Sequence, residues 1–158
     1  MRQTHPIPPL YGENSHTLIL GSFPSVKSRE VGFFYGHPQN RFWRVLATVF
    51  GADVPETVEQ KKQLVLSNGL ALWDVIASCE ITGSSDTSIS SVIPNDLDII
   101  LKNCNIKRIF ANGKTAEKYY NKYQFEKTGI ACITLPSTSP ANAAYSVEKL
   151  CDYWKIIL

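Results

Sequence analysis

Thr17-Leu18-Ile19-Leu20-Gly21-Ser22-Phe23-Pro24-Ser25 opens on a short apolar run, stops at a glycine and turns polar. The run is too short for a helix and has no polar alternation, so it predicts a strand buried on both faces that ends in a tight turn. From Phe42 the period changes: Phe42, Val45, Leu46 and Val49 share one helical face, with Arg41 and Arg44 off it. The same alternation continues outward. A helix is predicted over about 55–67, closed by Asn68-Gly69, a pair suited to a left-handed cap, and a strand follows at 70–73. Further strands are predicted at 108–111 and 130–135, with helices around 97–102 and 115–123. A last helix follows Ser146 as N-cap and turns Val147, Leu150, Cys151, Trp154 and Leu158 inward. Short apolar strands alternating with amphipathic helices imply right-handed crossovers. The expected fold is therefore a three-layer α/β/α sandwich with a central, mostly parallel four-stranded sheet, in one domain over 1–158. Such sheets bind ligands outside the carboxyl ends of their strands, which selects the segments after Leu20, Trp73, Ala111 and Leu135.

Composition sets outer bounds. The chain has 158 residues, 44% of them hydrophobic, enough for a core that needs no staples. A net charge of +2 is only mildly basic, so any nucleic-acid affinity must come from where charge is placed. Cys79, Cys104, Cys132 and Cys151 form no C-x-x-C pair and have no histidine at a ligand spacing, which argues against zinc or an iron–sulfur cluster. Free thiols and the absence of a signal-like or membrane-spanning run lead to the expectation of a soluble cytoplasmic protein, with no metal and no organic cofactor.

Two loops at predicted strand ends carry the chemistry. Gly21-Ser22-Phe23-Pro24-Ser25 leads into Gly32-Phe33-Phe34-Tyr35-Gly36-His37-Pro38-Gln39-Asn40-Arg41-Phe42-Trp43, and the strand ending at Leu135 leads into Pro136-Ser137-Thr138-Ser139-Pro140-Ala141-Asn142. Both are rich in glycine, proline and hydroxyls, which leaves backbone N–H groups free for an anion or a base edge. No G-x-S-x-G elbow, Walker lysine pattern or G-x-G-x-x-G run is present, which weakens the case for an α/β hydrolase or a nucleotide-binding protein.

The G-x-x-P-S turn, the Gly-His-Pro-x-Asn-Arg-Phe-Trp run and the Pro-Ser-x-Ser-Pro loop together resemble the uracil-DNA glycosylase superfamily. The details are most similar to its hypoxanthine-DNA glycosylase (DNA-deoxyinosine glycosylase) branch. The resemblance runs from about Leu18 to Asn142. It implies a monofunctional repair glycosylase that hydrolyses the N-glycosidic bond of a flipped deaminated base, with hypoxanthine first. Excision of uracil or mismatched bases, or lesion binding without chemistry, are the alternatives. The first motif carries Phe23 where uracil- and thymine-excising relatives have Asp or Asn, and the second loop lacks their histidine. The resemblance therefore moves water positioning to Asn40, through its side-chain oxygen. It also places Tyr35 against the extruded base, makes Phe23 a further wall of the pocket, puts His37 in the base pocket and gives Asp74 the chance to accept from the base N1–H. Backbone N–H groups near Ser22, Phe23 and Tyr35 would hold the leaving carbonyl. Ser25, Ser137, Thr138, Ser139, Pro140, Asn142 and Lys114 are implied on the DNA side, where hydroxyls and a lysine meet phosphates. The partner implied is double- or single-stranded DNA with a damaged base, bound by a monomer away from any membrane.

The same residues have plainer readings. Asn40 precedes a helix and suits an N-cap. Phe33, Phe34 and Tyr35 suit a core, and His37, fixed before a proline, suits a loop brace. Asp74 fits a cap on a helix starting at Val75. Lys114, Lys118 and Lys122 fit a solvated face.

Overall fold

The computed structural model describes residues 2–158. In chain order its elements are β1 (Arg2–Thr4), β2 (Thr17–Gly21), α1 (Val26–Val31), α2 (Phe42–Val49), α3 (Val58–Ser67), β3 (Leu70–Asp74), β4 (Ile76–Glu80), β5 (Ser90–Pro94), α4 (Asp98–Leu101), β6 (Arg108–Asn112), α5 (Lys114–Tyr123), α6 (Phe125–Thr128), β7 (Cys132–Leu135) and α7 (Val147–Trp154). The expected parallel sheet is present, with strand order β3-β2-β6-β7 and every neighbouring pair parallel. The register sets Gly21 opposite Asp74, Leu20 opposite Ala111 and Asn112 opposite Leu135, so the carboxyl ends of all four strands meet at one edge.

The central strand is buried throughout, with Leu18, Ile19 and Leu20 wholly inaccessible. Successive strand residues face opposite sides, so both faces of the sheet are covered. Helix α5 packs against β2, β6 and β7, α3 against β3, and α2 against α7. The α2–α7 contact centres on Phe42 edge-on to Trp154, ring centroids 5.8 Å apart, while Trp154 Nε1 donates to the Pro136 carbonyl at 2.9 Å.

Four local readings are corrected. Asp74 does not cap a helix: the chain bends at Val75, whose N–H donates to the Gly21 carbonyl at 2.8 Å, and continues as β4. With β1 and β5, β4 forms a second, antiparallel sheet of order β1-β4-β5, which the alternating pattern does not announce. The loop after β2 holds α1, capped by Ser25 Oγ accepting from Ser28 N–H and closed by Gly32 at φ 75°. Helix α3 starts later than predicted, because Thr57 and Gln60 form a reciprocal capping box. Ser146 caps α7 as expected. Among the described residues all four cysteines are free thiols, and no helix is long and apolar enough to cross a membrane.

Candidate active site

A cavity of about 460 Å³ opens at the carboxyl edge of the parallel sheet, within the range of small-molecule sites of roughly 300–1,000 Å³. Ser22, Phe23, Ser25, Tyr35, His37, Asn40, Asp74, Ser137, Thr138, Ser139 and Pro140 all line it. Asn142 and Lys114 do not. Asn142 buttresses the rim, its side-chain amide donating to the Ser137 carbonyl at 3.0 Å, and Lys114 is exposed in the first turn of α5.

Gly21 makes room for the floor. A Cβ there would sit 2.3 Å from Asp74 Oδ1 and 3.1 Å from the Tyr35 hydroxyl, so only glycine lets carboxylate and phenol share the strand end. Tyr35 itself is held at φ 51°, a left-handed conformation that costs a non-glycine residue about 1–3 kcal/mol. Its ring stacks on Phe42 at 4.0 Å and 18°, which fixes one face and turns the residue to the cavity. The phenol oxygen is buried without a hydrogen-bond partner among the described residues. Burial first, and the Asp74 charge second, push its pKa far above the usual phenol value, against a smaller opposing pull from Asn112. Tyr35 is therefore a neutral phenol throughout the working pH range.

Asn40 is tied into the structure more tightly than its sequence position suggests. Its Oδ1 accepts from Phe42 N–H at the entrance of α2 and from Thr138 Oγ1, each at 2.9 Å. The capping role is thus real, although the helix itself begins with Phe42 after Arg41. With the oxygen taken by two donors, the polar group Asn40 offers to the cavity is its Nδ2 amide. Thr138 is fully buried; Asn112 Nδ2 donates to its hydroxyl at 3.1 Å and Asn112 Oδ1 accepts from its N–H at 3.1 Å. Its hydroxyl braces Asn40 from within instead of facing a phosphate. Ser137 and Ser139 each accept from the N–H two residues onward, at 3.1 and 3.2 Å, and so stiffen the loop. His37 Nδ1 accepts from Gln39 N–H at 3.1 Å, which is the bracing role, and the ring lines the cavity as well.

Four residues have parts in the site that the sequence reading did not assign. Arg41 spreads its guanidinium over the carbonyls of Thr138, Ser139, Asn142 and Tyr145 and so binds the second loop to the entrance of α2. Asn112 belongs to the site through Thr138 and the cavity lining. Asp86, in the loop between β4 and β5, is an exposed residue whose carboxylate reaches the cavity rim and accepts from Ser22 Oγ at 3.4 Å. Desolvation raises its pKa, hydrogen bonds from Thr115 and Ser22 lower it, and the Asp74 charge raises it, the balance being upward. His5 Nε2 donates to Asp74 Oδ2 at 2.7 Å, the two side chains 3% and 6% exposed. Arg41, in the loop that follows the first predicted strand, and Asn112, just past Ala111, stood in segments the sheet argument selects, whereas Asp86 and His5 did not. Among the described residues no cluster of His, Cys, Asp or Glu is arranged to hold a metal.

A parallel-sheet edge carrying an aromatic-walled cavity, with amide, carboxylate and hydroxyl groups converging on it, has the form of a small-molecule binding site. The chain belongs to the uracil DNA glycosylase superfamily, whose family model matches residues 8–158. It is 36% identical over 114 residues to the hypoxanthine DNA glycosylase of Methanosarcina barkeri (strain Fusaro / DSM 804), covering 71% of this chain and 72% of that one. It is 33% identical over 144 residues to the hypoxanthine DNA glycosylase of Methanosarcina acetivorans, covering 90% of each. A solution NMR structure of a candidate uracil DNA glycosylase from M. acetivorans superposes with a TM-score of 0.81 at 28% identity, over 99% of both chains.

Proposed function

We propose that this chain is a monofunctional DNA glycosylase that removes hypoxanthine from deoxyinosine in DNA by hydrolysis and leaves an abasic site. The observation that carries the reading is the cavity that gathers Asn40, Tyr35, Phe23 and Asp74 from distant parts of the chain at the carboxyl edge of the sheet. The names of the two Methanosarcina relatives favour hypoxanthine over the other deaminated bases.

The base must leave the duplex to reach such a cavity, at a cost of a few kcal/mol that enclosure between aromatic walls offsets. Tyr35 and Phe23 supply the walls. Breaking the glycosidic bond builds positive charge on the sugar and negative charge on the base, and an oxocarbenium-like carbon needs an oriented water more than a strongly activated one. Asn40 Nδ2 donates to one lone pair of that water and leaves the other for attack. Backbone N–H groups of Ser22 and Phe23, beyond the end of β2 at Gly21, face the carbonyl of the departing base, and Asp74 accepts from its N1–H. Ser25, Ser137, Ser139, Pro140 and Lys114 lie on the DNA side, with Asn142 and Thr138 supporting them.

Among the described residues no lysine lines the cavity, which favours water over an amine as nucleophile. The test is strand cleavage by alkali after incubation with duplexes carrying one hypoxanthine, uracil, xanthine or mismatched thymine. Release of hypoxanthine in preference to the others, with no adduct trapped by borohydride, is the expected result. Inactivity on all four overturns the proposal.

A further inference from the structure

The N-terminal arm carries a histidine against Asp74, one of the residues that line the cavity. His5 follows β1, and the main chain fixes it on both sides. Its N–H donates to the Ala77 carbonyl at 2.7 Å, and the Ile7 carbonyl accepts from Trp73 Nε1 at 3.3 Å. Phe23 and Trp73 meet the imidazole edge-on, with centroids 6.0 and 6.5 Å away. Nδ1 accepts from Ile7 N–H at 3.2 Å, so the ring proton resides on Nε2 and is donated to Asp74 Oδ2 at 2.7 Å. One carboxylate oxygen is thereby committed. The other, Oδ1, lies against Gly21 on the cavity floor.

We propose that His5 is a positioning residue for base selection: it locks Asp74 so that a single acceptor, Oδ1, faces the polar edge of the flipped base. The inference rests on the hypoxanthine reading above. Deamination of adenine turns N1 from a bare acceptor into an N–H donor. A fixed carboxylate oxygen welcomes that donor and repels the adenine lone pair, so the pair separates a deaminated purine from its parent. A site built around one hydrogen bond discriminates strongly only if the acceptor cannot swing aside. The aromatic box and the Ile7 N–H deny Asp74 and His5 that freedom.

The experiment measures single-turnover hypoxanthine release and abasic-duplex affinity for wild type, His5→Ala, His5→Gln, Asp74→Asn and the double variant His5→Ala/Asp74→Asn, each with a thermal melt. His5→Ala is expected to slow release about 10- to 100-fold, the loss of one charge-assisted hydrogen bond. Affinity for abasic DNA, which offers no base edge to read, stays unchanged. His5→Gln, whose amide reaches the same oxygen as a donor, recovers most of the rate, and His5→Ala adds little once Asp74 is already Asn. Wild-type release by His5→Ala, or losses that simply multiply in the double variant, overturns the inference. Should the alanine variant fail to fold, a folded His5→Gln as slow as Asp74→Asn does the same. A wild-type protein that releases no base removes the glycosylase reading itself, whereas release by wild type with an indifferent His5 removes only this inference.

Discussion

Asn40 is where stability and chemistry are joined, and they can be separated by two substitutions. Asn40→Ala removes the acceptor for Phe42 N–H at the entrance of α2, a capping loss of about 1 kcal/mol. It also removes the acceptor for Thr138 Oγ1, about another 1 kcal/mol, since that hydroxyl keeps its bond from Asn112. The sum, about 2 kcal/mol, lowers the melting temperature by roughly 4–8 °C for a chain of this size. Loss of the amide that holds the water slows base release by about 10²–10³-fold, more than that destabilisation explains well below the melt. Asn40→Asp keeps an oxygen for both donors and therefore keeps most of the stability, but it has no Nδ2. It is expected to be as slow as the alanine variant. The assay is single-turnover hypoxanthine release at a temperature where all three proteins are folded by circular dichroism. An aspartate variant at wild-type rate would put the water on the side-chain oxygen after all, and an alanine variant at wild-type rate would reduce Asn40 to a cap.

Gly21→Ala places a Cβ 2.3 Å from an Asp74 oxygen that His5 holds in place, so a loss of about 1–3 kcal/mol with reduced base release is expected; an unchanged melting temperature refutes the close approach. Arg41→Lys replaces a fork that serves four carbonyls by a point charge, and the 138–145 segment should exchange its amide hydrogens faster while KM for DNA rises more than kcat falls. Unaltered exchange in that segment argues against the clamp. Asp86 holds its proton more tightly folded than unfolded, so its contribution favours the fold at low pH and is lost as pH rises past the ordinary carboxylate value. Asp86→Asn should accordingly raise the melting temperature near neutrality and leave it unchanged in acid below that value; an equal gain at both pH values would sink the argument.

What the sequence made legible follows from the range of the forces involved. The run Leu18-Ile19-Leu20 ending in Gly21 and the period of α7 are local signals, and both elements stand where they were expected, except that α7 ends at Trp154 and leaves Leu158, expected inward, exposed. The parallel order follows from crossover geometry, and it leads straight to the loops that line the cavity. The antiparallel sheet was hidden because β3 and β4 are separated by Val75 alone, and one residue that turns a strand aside looks the same as one that starts a helix. His5 was hidden for a different reason. It sits among Pro6, Pro8 and Pro9 in a stretch with no periodicity, and its partner lies 69 positions away. Asn40 was found through its motif, but that its oxygen is already engaged depends on Thr138, 98 positions away, and on no pattern near it.

The joint between the entrance of α2 and the loop before α7 closes over 97 to 104 positions of chain. Contacts that distant carry a large loop-closure entropy and form late, after the local helices. The pocket is therefore among the last features to assemble on refolding and among the first to come apart on heating. Gentle warming should silence the protein while its backbone signal is still that of the intact fold, and the gap between those two temperatures measures how loosely the terminal segment is fastened.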